Sequence, residues 1–486
     1  MGNNNSQSIH LKKEILARII EAFLSDNLEE NTRLIPYDMR PKGAEVPYRC
    51  CIYKERAILK ERVKAGLGFS LEVDDETKLL SEYAKDALKR EKPDENPLTV
   101  LDAACAGCVP SRIYVTDLCQ GCVARPCQSA CKFGAIEMVD GKSKIDGSKC
   151  KSCKMCMNAC PYNAIVKLAV PCEDACPVGA IQKDGNGITR IDFEQCISCG
   201  KCVAACPFGA VHEKSQIIDI LKHMKSGDKK VIAMFAPSIV GQLPGNIYQL
   251  KSAIKKAGFD EVFEVAQGAD VTTLNEAKEF EERMENGAPF MTTSCCAGYN
   301  QFVKKHLPEL SEFKSTTETP LYYIAEIVKK KYPDAITVFI SPCVAKRKES
   351  MDNPNVDYVM TYEELGALFI AKRIEITECE EEKFETESSK QGRNFGVTTG
   401  VAEAVKSVAK NPEEVKPYII SGLTKETVKE LKKFTKDKSC PGCNLVEVMC
   451  CEGGCIGGNA TINIPRVARK ELKTLLDESK DLERKD

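Results

Sequence analysis

Apolar residues recur every three to four positions in ILARIIEAFL (15–24) and in ERAILKERVKAGL (55–67), so the spacing predicts amphipathic helices through residues 1 to 100. Beyond Cys206 the pattern changes. Short apolar runs, VIAMFAP, EVFEVA, TVFISP, DYVMTY and NFGVTT, read as buried strands. They alternate with helix-period stretches: NIYQLKSAIKKAG, VTTLNEAKEFEERMENG, TPLYYIAEIVKKKY, YEELGALFIAKR and VAEAVKSVAK. Such alternation predicts an α/β domain with largely parallel sheets covered by helices. Residues 375 to 392, with ECEEEKFETESSKQG, read as a polar, solvated loop in which Cys379 is incidental. Residues 101 to 215 follow neither period, and the order there comes from cysteine.

The chain of 486 residues holds 27 cysteines, an odd number, and 69 basic against 71 acidic residues. A formal net charge of -2 gives no polybasic argument for nucleic acid or an anionic membrane. Neither a charged-then-apolar N-terminal segment nor a run of about 18 apolar residues is present, which points to a reducing cytoplasm and to thiols acting as metal ligands. Four half-repeats share one ending: CQSACKFGAI, CMNACPYNAI, CEDACPVGAI and CVAACPFGAV. The second and fourth are full C-x2-C-x2-C-x3-C-P runs, Cys150, Cys153, Cys156, Cys160 and Cys196, Cys199, Cys202, Cys206. That is the spacing of bacterial two-cluster ferredoxins, where the fourth cysteine serves the other cluster. Zinc would call for isolated C-x2-C pairs without the C-x3-C-P tail. The first repeat has Cys119, Cys122, Cys127 and Cys131; the third keeps only Cys172 and Cys176, with a spare pair upstream at Cys105 and Cys108. By analogy with paired repeats, Cys119, Cys122 and Cys127 would share a cubane with Cys160, and Cys150, Cys153 and Cys156 one with Cys131. Cys196, Cys199 and Cys202 would take Cys176. Cys105, Cys108, Cys172 and Cys206 remain for a fourth cubane; a nested pairing of the first repeat with the fourth, or three clusters and an unused pair, stays open.

Three further stretches lie on strand-to-helix loops, where functional groups concentrate. They are TTSCCAGYN with Cys295 and Cys296, FISPCVAKRKE with Cys343, Lys346 and Glu349, and EVMCCEGGCIGGN with Cys450, Cys451 and Cys455. In the last, thiols four apart would face the same way on one turn, and glycines would let backbone approach a bulky cluster. Together the three resemble the signature motifs of the iron-only (FeFe) hydrogenases, TSCCPxW, MPCxxKxxE and ExMxCxGGCxxGG. FAPS, GADVTTLNEAKE and FGVTTGVAEA resemble further family segments, in the family's order, so the resemblance spans residues 228 to 465.

The resemblance implies a multidomain chain combining α+β and α/β parts: a helical N-terminal region (1–100), a ferredoxin-like 4Fe-4S cluster region (101–215) and an α/β hydrogenase domain (216–486). It implies an H-cluster, a 4Fe-4S cubane joined to a diiron unit with CO, cyanide and a bridging dithiolate, beside three to four accessory 4Fe-4S clusters. Cys296, Cys343 and Cys451 would hold the cubane and Cys455 would bridge it to the diiron unit. Lys346 would donate to a cyanide; Ser238, Pro342 and Gly454 would line the cofactor. Cys295, Glu276, Ser315 and Glu279 match the family's proton relay, and Glu276 and Glu279, at i and i+3, share a helix face. The reaction implied is reversible interconversion of H2 with protons, the electrons passing to or from a ferredoxin or another small redox carrier. No GxGxxG stretch suggests a nucleotide partner. Insertion of the diiron unit would need the family's maturation proteins.

Some positions depart from the family pattern and are similar to a divergent, group B-like branch. Ala297 and Tyr299 stand where proline and tryptophan are usual, Ser341 where methionine is common, and Cys450 where alanine is frequent. Cys440-Pro-Gly-Cys443 lies outside the pattern, with a redox or metal role set against coincidence. Cys50-Cys51 reads as a small apolar pair packed under the N-terminal helices. A second function class, a hydrogenase-like iron-sulfur protein without the diiron unit, serving electron transfer, cluster assembly or H2 sensing, would explain the cubane cysteines and leave the relay residues without a use.

Overall fold

The computed structural model describes residues 7–43, 50–93, 95–105, 108–109 and 111–484. They divide into two compact units, one of Met1–Cys105 with Cys176–Asp486 and one of Ala106–Ala175. No helix among the described residues is long and apolar enough to cross a membrane.

In the first unit, strand Val231–Phe235 pairs in parallel with Glu261–Glu264 on one side and Ile336–Ile340 on the other, and Tyr358–Met360 pairs beyond the latter. Every residue of the two central strands is buried, which is why their sequences read as continuous apolar runs and not as alternation. A second parallel sheet sets Leu445–Met449 between Met291–Thr292 and Pro417–Ser421. Helix Ala266–Glu285 packs against helices Pro320–Lys331, Lys390–Asn394 and Gly400–Val408. The C-terminal ends of Met291–Thr292, Ile336–Ile340 and Leu445–Met449 lead directly into the three cysteine motifs, the usual place for a site on parallel sheets.

The N-terminal helices Gln7–Leu24, Leu28–Met39, Ile52–Gly66 and Leu80–Lys89 share one core with this α/β part. Buried Lys12 lies between Glu213 and Glu363, and Arg90 pairs with fully buried Asp219 at 2.5 Å. In the second unit, Arg112–Val115 pairs antiparallel with Ile165–Leu168, and Ile136–Val139 with Lys142–Ile145.

Several expectations need correction. NFGVTT is not a strand: Lys390–Asn394 is a short helix, and turns follow up to helix Gly400–Val408. Gly396 and the following Gly400 serve close approach instead: a Cβ on Gly400 would meet the Asn394 carbonyl at 2.0 Å, and one on Gly396 would lie 3.1 Å from Ser238 Cβ. Thr399 takes φ +80, a strained value held by Glu447 at its N–H and Glu403 at its hydroxyl. The 375–392 stretch is anchored: Phe384 is buried against Phe235, Lys251 donates to the Lys383 carbonyl, and Cys379 is half-buried on the core. Cys51 is exposed and Cys50 only partly covered, so this pair is not packed beneath the helices. Cys440 and Cys443 form a disulfide, with Cys440 buried in the core around Phe290 and Phe434.

Candidate functional site

Cys296 caps the N-terminus of helix Ala297–His306, Cys343 follows Ile336–Ile340, Cys451 follows Leu445–Met449, and Cys455 opens the 3-10 turn Cys455–Gly457. Cys451 and Cys455 therefore do not share a helical turn as their spacing suggested; Gly453 at φ +80 and Gly454 at φ +91 bend the chain between them. The fold nonetheless gathers all the thiols. Burial pushes Cys343 up to about 11 and Cys455 up to about 12, and in both cases nearby Cys296 adds to it. Cys451 is raised by burial and by Cys343 and Cys455. Cys296 is the exception, brought down to about 6 first by a hydrogen bond from Cys450.

Part-buried thiols that oppose one another's ionisation suit a cationic centre that would accept their sulfurs as thiolates. Among the described residues no three His, Cys, Asp or Glu side chains are set to hold a single metal ion. Backbone crowds the site: a Cβ on Gly454 would lie 2.6 Å from Thr398 N, and one on Gly458 would lie 2.9 Å from Pro342. Ser238 bonds the Tyr362 hydroxyl at 2.7 Å, and Tyr362 in turn feels the charges of Cys455 and Cys343. The donor set and the glycine cradle fit an iron-sulfur cofactor.

Lys346 is part-buried and pairs with Glu349 at 2.7 Å, and Glu349 also accepts from Thr319 Oγ1 at 2.6 Å. Cys295 is buried, its thiol raised by burial and then by Glu276. Glu276 is fully enclosed: Oε1 accepts the Ser294 N–H at 3.2 Å, and Oε2 lacks a well-formed hydrogen bond. Burial raises it to about 8, offset only in part by Ser294 and Ser315. Glu279, one turn on, is part-exposed and accepts from Ser315 Oγ (2.6 Å), Thr316 N (2.8 Å), Thr317 Oγ1 (2.8 Å) and Arg283 Nε (2.9 Å). Burial opposes its ionisation, but these donors outweigh it and hold Glu279 at about 2. Cys295, Glu276, Ser315 and Glu279 thus form a line from the buried thiols toward the surface. Glu447 went unremarked in the sequence although it opens the third motif. It is fully buried, accepts the Thr399 and Ala402 N–H groups at 2.8 Å each, and is raised by burial to about 7.

In the second unit, one enclosed space is lined by Cys119, Cys122, Cys127 and Cys160, and another by Cys131, Cys150, Cys153 and Cys156. These are the two groupings that the paired-repeat analogy suggests. In the first unit Cys176, Cys196 and Cys199 lie within electrostatic reach of one another. Cys105 and Cys206 belong to this unit, each accepting an N–H at 3.3 Å, from Thr189 and Ala210; Cys108 and Cys172 belong to the second. The repeat's shared Gly or Asn has a backbone cause. Gly134, Asn163, Gly179 and Gly209 all take positive φ, from 52 to 73, each three residues after the last cysteine of its repeat.

Comparison with known proteins matches three stretches of the chain. The family model "iron only hydrogenase large subunit, C-terminal domain" matches residues 229–459, a 4Fe-4S dicluster domain matches 171–210, and a 4Fe-4S binding domain matches 143–166. Iron hydrogenase 1 of Clostridium pasteurianum is 30% identical over 404 residues, covering 69% of this chain and 68% of that protein. The chain belongs to the iron-only hydrogenase family. Two other relatives are the NADP-reducing hydrogenase subunit HndD of Solidesulfovibrio fructosivorans and the periplasmic Fe hydrogenase large subunit of Nitratidesulfovibrio vulgaris. The first is 27% identical over 307 residues, 51% of this chain and 52% of that protein. The second is 28% identical over 313 residues, 52% of this chain and 74% of that protein.

As a member of this family the chain binds 4Fe-4S clusters, and the loop around Cys199 abuts the hydrogenase motifs. The Asn459 carboxamide donates to the Cys199 carbonyl, and a Cβ on Gly200 would meet Asn459 and Val344 within 3.3 Å. Two departures from the iron-only hydrogenase pattern have local partners. The Tyr299 hydroxyl bonds Thr292 Oγ1 at 2.7 Å, and Ser341 Oγ accepts the Cys343 N–H at 3.2 Å.

Proposed function

We propose that this protein is an active hydrogenase that interconverts H2 with two protons and two electrons. The observation that carries the reading is the line Cys295, Glu276, Ser315, Glu279, which a protein serving cubanes alone would not need. Cys296, Cys343 and Cys451 would hold the cubane of an H-cluster, and Cys455 would bridge it to the diiron unit. When bound, the H-cluster supplies the reversible joining of protons and electrons as H2.

The residues supply what surrounds that chemistry. Part-buried Lys346, kept cationic beside Glu349, would donate to a cyanide of the diiron unit, a charge-assisted contact that orients it. The Cys295 thiol passes a proton to and from Glu276, whose raised pKa lets it hold that proton near neutral pH. Ser315 donates to Glu279, whose part-exposed carboxylate stands at the outer end of the line, where protons would exchange with solvent. The Cys199 loop, whose carbonyl accepts from Asn459, would hold the 4Fe-4S cluster that supplies or removes electrons beside the H-cluster motifs. A ferredoxin or similar small carrier is the proposed partner, with maturation proteins providing the diiron unit in a reducing cytoplasm.

A Cys295→Ser variant tests the route. With all iron retained, H2 production from a low-potential donor is expected to fall by about a hundredfold or more. Unchanged turnover would mean that protons enter elsewhere.

A further inference from the structure

Cys450 has no part in the roles above. It is 3% exposed, and its backbone N–H donates to Cys296 Sγ at 3.5 Å. Its thiol is near enough to the same sulfur for each to act on the other's ionisation, Cys450 being raised and Cys296 lowered. On its other flank, a Cβ on Gly298 would lie 2.9 Å from Cys450 Sγ and 3.6 Å from Cys199 Cβ. Gly298 therefore leaves the space that Cys450 fills, and the Cys450 sulfur stands between the Cys296 ligand and the loop of the neighbouring cluster.

We infer that Cys450 donates its S–H to the Cys296 sulfur and thereby raises the reduction potential of the cubane that Cys296 holds. The inference rests on Cys296 being a ligand of that cubane. A metal-bound Cys296 carries no proton, so the hydrogen between the two sulfurs belongs to Cys450, which fixes the direction of donation. An electron added to the cluster places negative charge on its sulfurs. A donor aimed at one of them then stabilises the reduced form more than the oxidised one. Cys450 is thus a positioning residue for electrons, making arrival from the Cys199 cluster more favourable.

The test uses the full chain carrying its cubanes but no diiron unit, titrated by potential and followed by electron paramagnetic resonance. The cubane signal that disappears in Cys296→Ala identifies the one concerned. In Cys450→Ala its reduction equilibrium constant should fall roughly three- to tenfold, or about 30 to 59 mV for a one-electron couple. Iron content and the potentials of the other cubanes should stay as they were. Cys450→Ser, which keeps a donor, should recover much of the shift; Cys450→Val, of similar volume and without a donor, should not, and replaces the alanine variant if that one does not accumulate. An unmoved potential in the alanine and valine variants overturns the inference alone. Loss of about four iron atoms also overturns it, making Cys450 a ligand. Retention of every cubane in Cys296→Ala overturns the ligand assignment and this inference with it.

Discussion

Glu276 and Glu279 stand one turn apart on the same helix and hold their protons at opposite ends of the carboxyl range, about 8 and about 2. The cause lies in their neighbours: Glu276 receives one backbone N–H in an enclosed space, and Glu279 is ringed by hydroxyls, amides and Arg283. Glu276 keeps its proton in the folded state up to about pH 8, while the unfolded chain releases it near 4.5. The folded state therefore binds more protons between those values, and stability falls as pH rises from 4.5 to 8, then levels. Thermal unfolding of Glu276→Gln at a series of pH values should show this slope reduced, since the amide cannot ionise. The same variant should lose H2 turnover by about a hundredfold or more with its iron intact. At this scale the motifs named the residues, because thiol and carboxylate spacing is written in the sequence. The proton affinities were not legible, because the Ser315 and Thr316 partners of Glu279 lie on a distant loop.

The helix Ala266–Glu285 positions both glutamates, and its seat on helix Pro320–Lys331 depends on a missing side chain. A Cβ at Gly268 would lie 2.1 Å from the Pro320 carbonyl and 2.9 Å from Ile324 N, both backbone atoms. Gly268→Ala should destabilise the fold by about 1–3 kcal/mol and displace Glu276, so denaturant unfolding and turnover should fall together. The parallel strands VIAMF and ITVFI were readable because both faces are buried. Pro417–Ser421 begins with proline at an edge and carries too little pattern to be seen, whereas Met291–Thr292, only two residues long, showed as the short apolar segment ahead of the first cysteine motif. NFGVTT misled because its apolar residues pack in turns held from outside by Glu447, a tertiary cause that local sequence does not carry.

Across the whole molecule, the N-terminal helices contribute no thiol to the hydrogenase motifs and are still part of the core that supports them. Lys12 is the clearest link, buried and raised to about 12 because Glu213 and Glu363 outweigh its burial. Lys12→Met would leave two buried carboxylates without their cation, and a loss of about 3–5 kcal/mol is expected, read as a lower unfolding midpoint. The long-range pairing of Lys12 with Glu363 could not be read from helix periodicity, which gave only the apolar face. Cysteine spacing and hydrophobic alternation are local signals and were legible, but the compact units part within the cysteine repeats, between Ala175 and Cys176, and residues up to Cys105 join the α/β part, which no local pattern shows. The most direct test of hydrogenase function is an infrared spectrum of the anaerobic protein, produced with maturation proteins or loaded with a synthetic diiron precursor. Bands of iron-bound CO and cyanide, shifted by substitution of Lys346, are the predicted result. Their absence from protein that is folded and carries all its cubanes would contradict it and leave an electron-transfer protein on a hydrogenase fold.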